Sequence, residues 1–146
     1  MSFLDSLYKD VILEHYKRPH NRGALDQPSH VQEGENPSCG DELTLYLRVA
    51  DGIIREIGFE GEGCAISQAS ASLMTDALKG RSVEAALELS EAFRAMIRGQ
   101  PPAPELGELS ALQGVARLHA RVKCATLAWT TLESALGVPD GSGTHG

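Results

Sequence analysis

Three cysteines and one aspartate are the residues of this sequence with the clearest potential for chemistry. Cys39 lies in a Pro-Ser-Cys-Gly-Asp turn just before a predicted β-hairpin, and Cys64 lies where that hairpin ends and the next predicted helix begins. The Asp51-Gly52 pair is a two-residue turn signal that folds the chain back, so we expect Cys39 and Cys64 to be neighbours. Asp41, two residues after Cys39, can reach the same point.

Cys124 falls early in the last predicted helix, and only the tertiary fold can bring it to the other three residues. A set of three thiolates and one carboxylate suits tetrahedral Zn²⁺, and thiolates equally suit an iron–sulfur centre. A helix N-terminus at Cys64 and the positive charge of Lys123 beside Cys124 both favour the thiolate form. The wide spacing of the cysteines matches no compact metal-binding motif.

Each of these residues also has an ordinary structural interpretation. A single cysteine in a cytosolic chain is most often a small buried hydrophobe, and Cys124, inside an apolar helical pattern, fits that interpretation best. Cys39 and Cys64 fit it less well, because glycine or proline flanks them in polar turns. Asp41 taken alone is more often a turn residue than a metal ligand.

The remaining polar residues are weaker candidates. His15 and His20 flank the end of the first predicted helix and are expected to be solvated. Three serines of the second predicted helix form no catalytic triad, and we interpret them as helix-surface or backbone-bonded hydroxyls. They are Ser67, Ser70 and Ser72. Trp129 is most simply a core aromatic residue.

Composition excludes several classes of function. The 146 residues are enough for one domain with a buried core. The formal net charge of −7 argues against general nucleic-acid binding, which needs a surplus of cations. We find neither an apolar run of membrane-spanning length nor a signal-peptide pattern, so we expect no membrane association and a cytoplasmic location. An odd number of cysteines argues against a disulfide framework.

Hydrophobic periodicity predicts an α+β fold, in which a small antiparallel sheet of about three strands packs against several helices. A helix over residues 3–18 comes first, followed by a short strand near residues 30–33 and the hairpin over residues 42–60. Further helical segments are predicted at residues 65–79, at 82–98 with a break near Ser90, at 106–112 and at 120–136. We expect a single domain over residues 1–136 and a flexible C-terminal tail over residues 137–146.

The stretches around the three cysteines resemble the IscU/SufU family of iron–sulfur cluster assembly proteins, which also occurs as the N-terminal part of NifU. These stretches are residues 33–41 (EGENPSCGD), 61–67 (GEGCAIS) and 121–128 (RVKCATLA). The N-terminal helix with Tyr8 and the segment HYKRPHN at residues 15–21 also resemble the family. The resemblance covers roughly residues 3–136.

Within the family the chain resembles the SufU branch. Members of the IscU branch carry a histidine immediately before the third cysteine, and this chain has Lys123 there. The segment between the second and third cysteines is long, as in SufU proteins, and residues 80–120 fit that pattern. The Leu-Pro-Pro-Val-Lys chaperone-recognition motif of the IscU branch is absent from this sequence, so we expect no dependence on a dedicated Hsp70-type chaperone.

The resemblance implies a NifU/IscU-like fold and a surface-proximal site in which Cys39, Asp41, Cys64 and Cys124 bind Zn²⁺. It implies a pyridoxal-phosphate-dependent, SufS-like cysteine desulfurase as partner, and apo iron–sulfur proteins or further assembly factors as recipients. The expected function is that of a sulfur acceptor or relay and not of a free-standing catalyst. The alternatives are a scaffold that builds a [2Fe–2S] cluster at the same ligands, and a structural zinc protein.

A mechanism follows as a hypothesis. Docking on the desulfurase would release one metal-bound thiolate, which then attacks the persulfide of the enzyme. Cys39 is favoured as the acceptor because a glycine-flanked turn is the most mobile ligand position, and Cys124 is the second choice. Asp41 is the weakest ligand for a soft metal, so it would tune metal lability. Arg121 and Lys123 are expected to steer the anionic persulfide.

Overall fold

The computed structural model describes residues 3–37 and 40–137, and within these ranges the chain forms three strands and four α-helices. In chain order they are α1 (Phe3–Lys17), β1 (His30–Asn36), β2 (Asp41–Ala50), β3 (Ile53–Glu62), α2 (Ala65–Leu78), α3 (Val83–Ile97) and α4 (Val122–Ala135). Two 3₁₀ segments, Pro104–Arg117 and His119–Arg121, connect α3 to α4. This order confirms the predicted α+β fold. The predicted tail from residue 138 onwards lies outside the described residues.

The sheet is antiparallel, with the strand order β1-β2-β3. Asp51 and Gly52 both adopt positive φ angles, 56° and 74°, as a type I′ turn requires, which confirms the predicted hairpin turn. Along β2 the buried leucines Leu43, Leu45 and Leu47 alternate with more exposed residues. The strand therefore turns one face to the core and the other towards solvent.

The helices α2 and α4 cover the sheet. The α4 helix packs against β1 and β2, while α2 packs against β3 and against α4. Gly34 of β1 leaves the space that the Thr131 and Leu127 side chains of α4 occupy. Trp129 is fully buried and stacks on Phe93 with ring centroids 4.7 Å apart, which confirms its predicted core position.

The predicted break near Ser90 is wrong, because α3 runs without interruption from Val83 to Ile97. Ser90 points into the structure and donates a hydrogen bond to Glu133 Oε2 of α4 at 2.8 Å. Arg94 donates to the other oxygen of the same carboxylate at 2.6 Å. The hydroxyl therefore connects two helices and does not interrupt one. Ser82 caps the start of α3, since its side chain accepts from the Ala85 N–H.

The segment after α3 differs from the prediction in length and type. The short helix expected at residues 106–112 is part of the longer 3₁₀ segment Pro104–Arg117, which kinks at Gly107 where φ is 53°. The last α-helix begins at Val122, because residues 119–121 form a separate 3₁₀ turn. The described helices are all too short or too polar to cross a membrane.

The three serines of α2 are buried, because α2 is enclosed by α1, α4 and the sheet, and each is hydrogen-bonded to a backbone atom. Their interpretation as backbone-bonded hydroxyls is therefore confirmed. The expected solvation of His15 is wrong, whereas His20 is 46% exposed, as expected. His15 is only 4% exposed, since it lies on the face of α1 that packs against α2. The serine hydroxyls and His15 Nδ1 have their hydrogen-bond partners inside the protein.

Candidate metal centre

Asp41, Cys64 and Cys124 come together at one point of the molecule. One carboxylate oxygen and the two sulfurs lie within 4.8 Å of one another. Asp41 begins β2, Cys64 immediately precedes α2, and Cys124 lies in the first turn of α4. The hairpin brings the first two together as predicted, and the packing of α4 against α2 brings the third. Cys39 lies outside the described residues, so its place in the site stays a prediction.

The Asp41 carboxylate is almost completely buried, with 1% of its surface exposed. Its Oδ1 accepts a hydrogen bond from the Cys64 N–H at 3.0 Å, and the Ser67 hydroxyl lies 3.3 Å from the same oxygen. The first turn of α2 has no acidic residue of its own. Asp41 therefore supplies, from a neighbouring strand, the negative charge that a helix N-terminus favours.

The second carboxylate oxygen of Asp41 suggests a metal. Oδ2 is buried and has no hydrogen-bond partner within residues 3–37 and 40–137. A buried carboxylate oxygen without a partner is costly, whereas coordination to a cation satisfies it. With two thiols beside it, the donor set fits Zn²⁺, which accepts thiolate and carboxylate ligands.

Gly63 makes room for this arrangement. A Cβ atom at this position would lie 2.5 Å from Ser67 Oγ and would also clash with Asp41 Oδ1. Real Cβ atoms do not approach other atoms so closely, so any larger residue would displace the carboxylate or the hydroxyl. The glycine next to Cys64 thus allows the aspartate to reach the start of α2.

Ser70 holds α4 in place against α2. Its hydroxyl donates to the Ala125 carbonyl oxygen at 2.6 Å and accepts from Trp129 Nε1 at 3.2 Å. Both contacts are buried, and Ala125 directly follows Cys124. Cys124 is itself fully buried, as its interpretation as a core residue predicts, and its role as a metal ligand stays a prediction.

Arg121 adds a positive charge at the thiols. A hydrogen bond to Cys124 and the negative charge of Cys64 raise the pKa of the Arg121 guanidinium above its ordinary value. The Arg121 side chain is exposed to solvent, so it places a positive charge at the surface of the site. Lys123, the other predicted electrostatic residue, is exposed.

Sequence reasoning missed the two residues that position Asp41. Ser67 had been predicted to bond to the backbone, and it does contact the Cys64 carbonyl oxygen at 3.1 Å, but it also reaches the carboxylate. From the sequence, Gly63 is expected only to flank Cys64 in a polar turn. Ser67 lies three residues after Cys64, where α2 begins. A serine at this spacing is the signal that could have indicated a buried polar network at the start of the helix.

The α+β domain brings an aspartate and two cysteines together at the start of α2. These donors are typical of a protein that binds a thiophilic metal ion. Comparison with known proteins gives the family. The chain belongs to the NifU-like N-terminal domain family, whose model matches residues 7–137.

The relatives extend over almost the whole chain. The chain is 46% identical to the zinc-dependent sulfurtransferase SufU of Bacillus subtilis (strain 168), over 97% of this chain and 99% of that protein. It is also 46% identical to the iron–sulfur cluster assembly scaffold protein IscU of Streptococcus pyogenes serotype M1, over 93% and 86% of the two chains.

A solved structure agrees with these relatives. A Fervidobacterium islandicum AW-1 protein, assigned to the SUF system as an iron–sulfur cluster assembly scaffold, superposes with a TM-score of 0.84 at 36% identity. The match covers 90% of this chain and 97% of that chain. The predicted family and the NifU/IscU-like fold are therefore confirmed.

Proposed function

We propose that this chain acts in iron–sulfur cluster assembly as a zinc-bound sulfur acceptor, which takes persulfide sulfur from a cysteine desulfurase. The observation that carries the proposal is the convergence of the Asp41, Cys64 and Cys124 ligand atoms within 4.8 Å, with a buried carboxylate oxygen that lacks a hydrogen-bond partner in the described residues. The similarity to a zinc-dependent sulfurtransferase and to cluster scaffolds supports the same chemistry.

Zinc would be held by Asp41, Cys64 and Cys124, with Cys39 as the fourth ligand. Cys39 is two residues from Asp41 in the sequence, which limits the separation of their Cα atoms to about 7 Å. Bound zinc would keep the thiols deprotonated at neutral pH and protect them from oxidation.

The transfer step itself is a thiol–persulfide exchange. A thiolate of this chain attacks the terminal sulfur of the enzyme's persulfide, a new S–S bond forms, and the S–S bond of the enzyme breaks. The enzyme's cysteine leaves as a thiolate, so the step needs no added oxidant or reductant. The product is a persulfide on this chain.

Burial distinguishes the candidate acceptors. Cys124 is fully buried in α4 and would have to move before it could meet a partner's persulfide. Cys64 is half-buried and its backbone N–H is bonded to Asp41. These restraints support Cys39 as the acceptor, as the sequence predicts.

Arg121 would bind the anionic sulfur species during transfer. It already contacts the Cys124 thiol and has an exposed guanidinium, so it reaches both the site and the solvent. We expect Lys123, which is exposed, to act only on the approach of the partner.

The partner is a pyridoxal-phosphate-dependent cysteine desulfurase of the SufS type, and the recipients are apo iron–sulfur proteins or other assembly factors. The chain would work in the cytoplasm, where such enzymes and reduced thiols coexist. It would act as the enzyme's co-substrate and not as a free-standing catalyst.

The test measures cysteine desulfurase turnover with and without the zinc-loaded chain, and locates persulfide by mass spectrometry. We expect strong stimulation and a persulfide on Cys39. Arg121→Gln should reduce the stimulation, whereas the matched control Arg117→Gln, at an exposed arginine of the 3₁₀ segment, should not. Stimulation without any persulfide on the chain would contradict the acceptor role.

The second candidate is a scaffold on which a [2Fe–2S] cluster is assembled as cargo at the same ligands. The similarity to IscU scaffold proteins favours it. It predicts no stimulation of the desulfurase but a stable, visibly absorbing cluster after iron and sulfide are added. A structural zinc protein, the third alternative, would unfold when the metal is removed.

A further inference from the structure

A second group of metal-ligating side chains lies outside the cysteine site. His15 and His20 flank the end of α1, and Asp76 lies near the end of α2. The two imidazole rings are 4.4 Å apart between centroids, and one ligand atom from each of the three residues lies within 4.8 Å of the others. We propose that these three residues form a second site, which binds a divalent first-row transition-metal cation.

Ser72 contacts both histidines and orients the ring of His15. Its Oγ accepts a hydrogen bond from the backbone N–H of His20 at 2.7 Å and lies 2.7 Å from His15 Nδ1. A hydroxyl oxygen has two lone pairs, so it accepts from both when His15 carries its proton on Nδ1. That tautomer leaves the lone pair of Nε2 for a metal. Such an outer hydrogen bond is the usual way in which proteins fix a ligating histidine.

Asp76 is held from the opposite side. Its Oδ1 accepts from Asn21 Nδ2 at 3.0 Å, and Asn21 also donates to Thr75 Oγ1 at 3.0 Å. The other oxygen, Oδ2, contacts the His20 ring directly. A carboxylate already oriented towards an imidazole can exchange the shared proton for a cation without a large rearrangement.

A fourth ligand is available at the edge of the group. Glu108 Oε1 lies 4.0 Å from His15 Nε2, and its side chain is 71% exposed, so it is free to turn towards a cation. A cavity of about 630 Å³ opens at this point. Its lining includes three carboxylates, whose negative charge attracts cations. They belong to Asp10, Glu14 and Glu108.

This site is separate from the cysteine site. Cys64 and Asp76 lie at opposite ends of α2, twelve residues apart, which corresponds to about 18 Å along a helix. One ion cannot serve both. The donors also differ, because this group offers imidazole and carboxylate, which suit Zn²⁺, Co²⁺ or Fe²⁺, in place of the thiolates of the cysteine site.

Cobalt titration of the full, zinc-loaded chain tests the inference. Co²⁺ bound by nitrogen and oxygen shows ligand-field absorption without the thiolate-to-metal band that a cysteine site gives. We expect one equivalent of this spectrum in the unmodified chain and its loss in His20→Asn and in Asp76→Asn. The matched control His30→Asn removes a histidine of β1 and should keep the equivalent.

Two results would overturn the inference. One is the absence of any nitrogen- and oxygen-bound cobalt in the unmodified chain, and the other is its persistence in both ligand variants. The side chains of His20 and Asp76 are 46% and 39% exposed, so these variants are expected to fold, which circular dichroism verifies. A chain with Cys64→Ser and Cys124→Ser should still bind this cobalt, so the result is independent of the proposed sulfur transfer.

Discussion

Replacing Gly63 by alanine should destabilise the protein through a single, localised clash. The added Cβ would lie 2.5 Å from Ser67 Oγ and would also overlap Asp41 Oδ1. Gly63 does not have a positive φ, so alanine is compatible with the local backbone and the clash alone decides the outcome. The flexible Ser67 side chain can rotate away from the added Cβ, but the buried Asp41 carboxylate has to move away from the start of α2.

The magnitude follows from the contacts that Asp41 would lose. Its Oδ1 accepts from the Cys64 N–H at 3.0 Å, and a hydrogen bond to a charged group contributes about 1.5–3 kcal/mol. Loss of a helix cap alone costs about 1 kcal/mol. Because these two figures describe the same bond, we expect Gly63→Ala to lower the free energy of unfolding by about 2 kcal/mol.

Urea denaturation of the metal-free, reduced protein measures this difference. Gly114→Ala is the matched control, because a Cβ there meets no atom within 4 Å and its φ is not positive. Any glycine-to-alanine change also stabilises a protein by about 0.4–1 kcal/mol, because it lowers the entropy of the unfolded chain. Comparison with the control removes this contribution from the measured difference.

A double variant makes the assay specific. In an Asp41→Ala background the Gly63→Ala change should cost less than about 0.5 kcal/mol, since the group it displaces is gone. The reasoning is refuted if Gly63→Ala and Gly114→Ala unfold at the same urea concentration. An undiminished cost in the Asp41→Ala background would refute it equally.

Three further predictions concern the same site. Asp41→Ala should lengthen the lifetime of bound zinc in a chelator competition, because the remaining ligands are better donors for a soft metal; faster zinc loss would contradict this role. Ser70→Ala leaves the Ala125 carbonyl and the Trp129 N–H without their buried partner. The Ser70→Ala change should lower the free energy of unfolding, measured by urea denaturation, by about 2–3 kcal/mol. The control Ser110→Ala, at an exposed hydroxyl, should lower it by less than about 0.5 kcal/mol. Removal of zinc with a chelator should leave the far-ultraviolet circular dichroism nearly unchanged, and loss of the helical signal would instead indicate a structural metal.

The elements that sequence predicted well are those with a strong local signal. The Asp51-Gly52 pair predicts the hairpin of β2 and β3, and the positive φ angles of both residues and the antiparallel pairing confirm it. Ser90 gave a misleading signal, because its partner Glu133 is 43 residues away and no local pattern reveals it. The 3₁₀ segment Pro104–Arg117 is longer than predicted. Its buried residues Leu106, Leu109, Leu112 and Val115 recur every three residues, which is the 3₁₀ period and not the α-helical one.

The residues of the candidate site also differ in how far the sequence predicts their positions. Asp41 and Cys64 were predicted to meet because a hairpin joins them, and they do. The approach of Cys124 depends on contacts between α2 and α4 through Ser70, which a single sequence does not encode in any local spacing. His15 lies three and four residues after Ile12 and Val11, which places it on the apolar face of α1, but its buried partner Ser72 is 57 residues away and no local pattern reveals it.

The two carboxylate oxygens of Asp41 have different surroundings. This difference explains how a metal ion could leave without unfolding the protein. Oδ1 is bonded to the backbone at the start of α2, whereas Oδ2 has no partner among the described residues and is available to a cation. Departure of the cation would break the contact at Oδ2 and leave the cap at Oδ1. Arg121 would then remain beside the thiols as a compensating charge. A site built in this way keeps its geometry through a cycle of metal or sulfur exchange, which a sulfur acceptor requires and a purely structural zinc site does not.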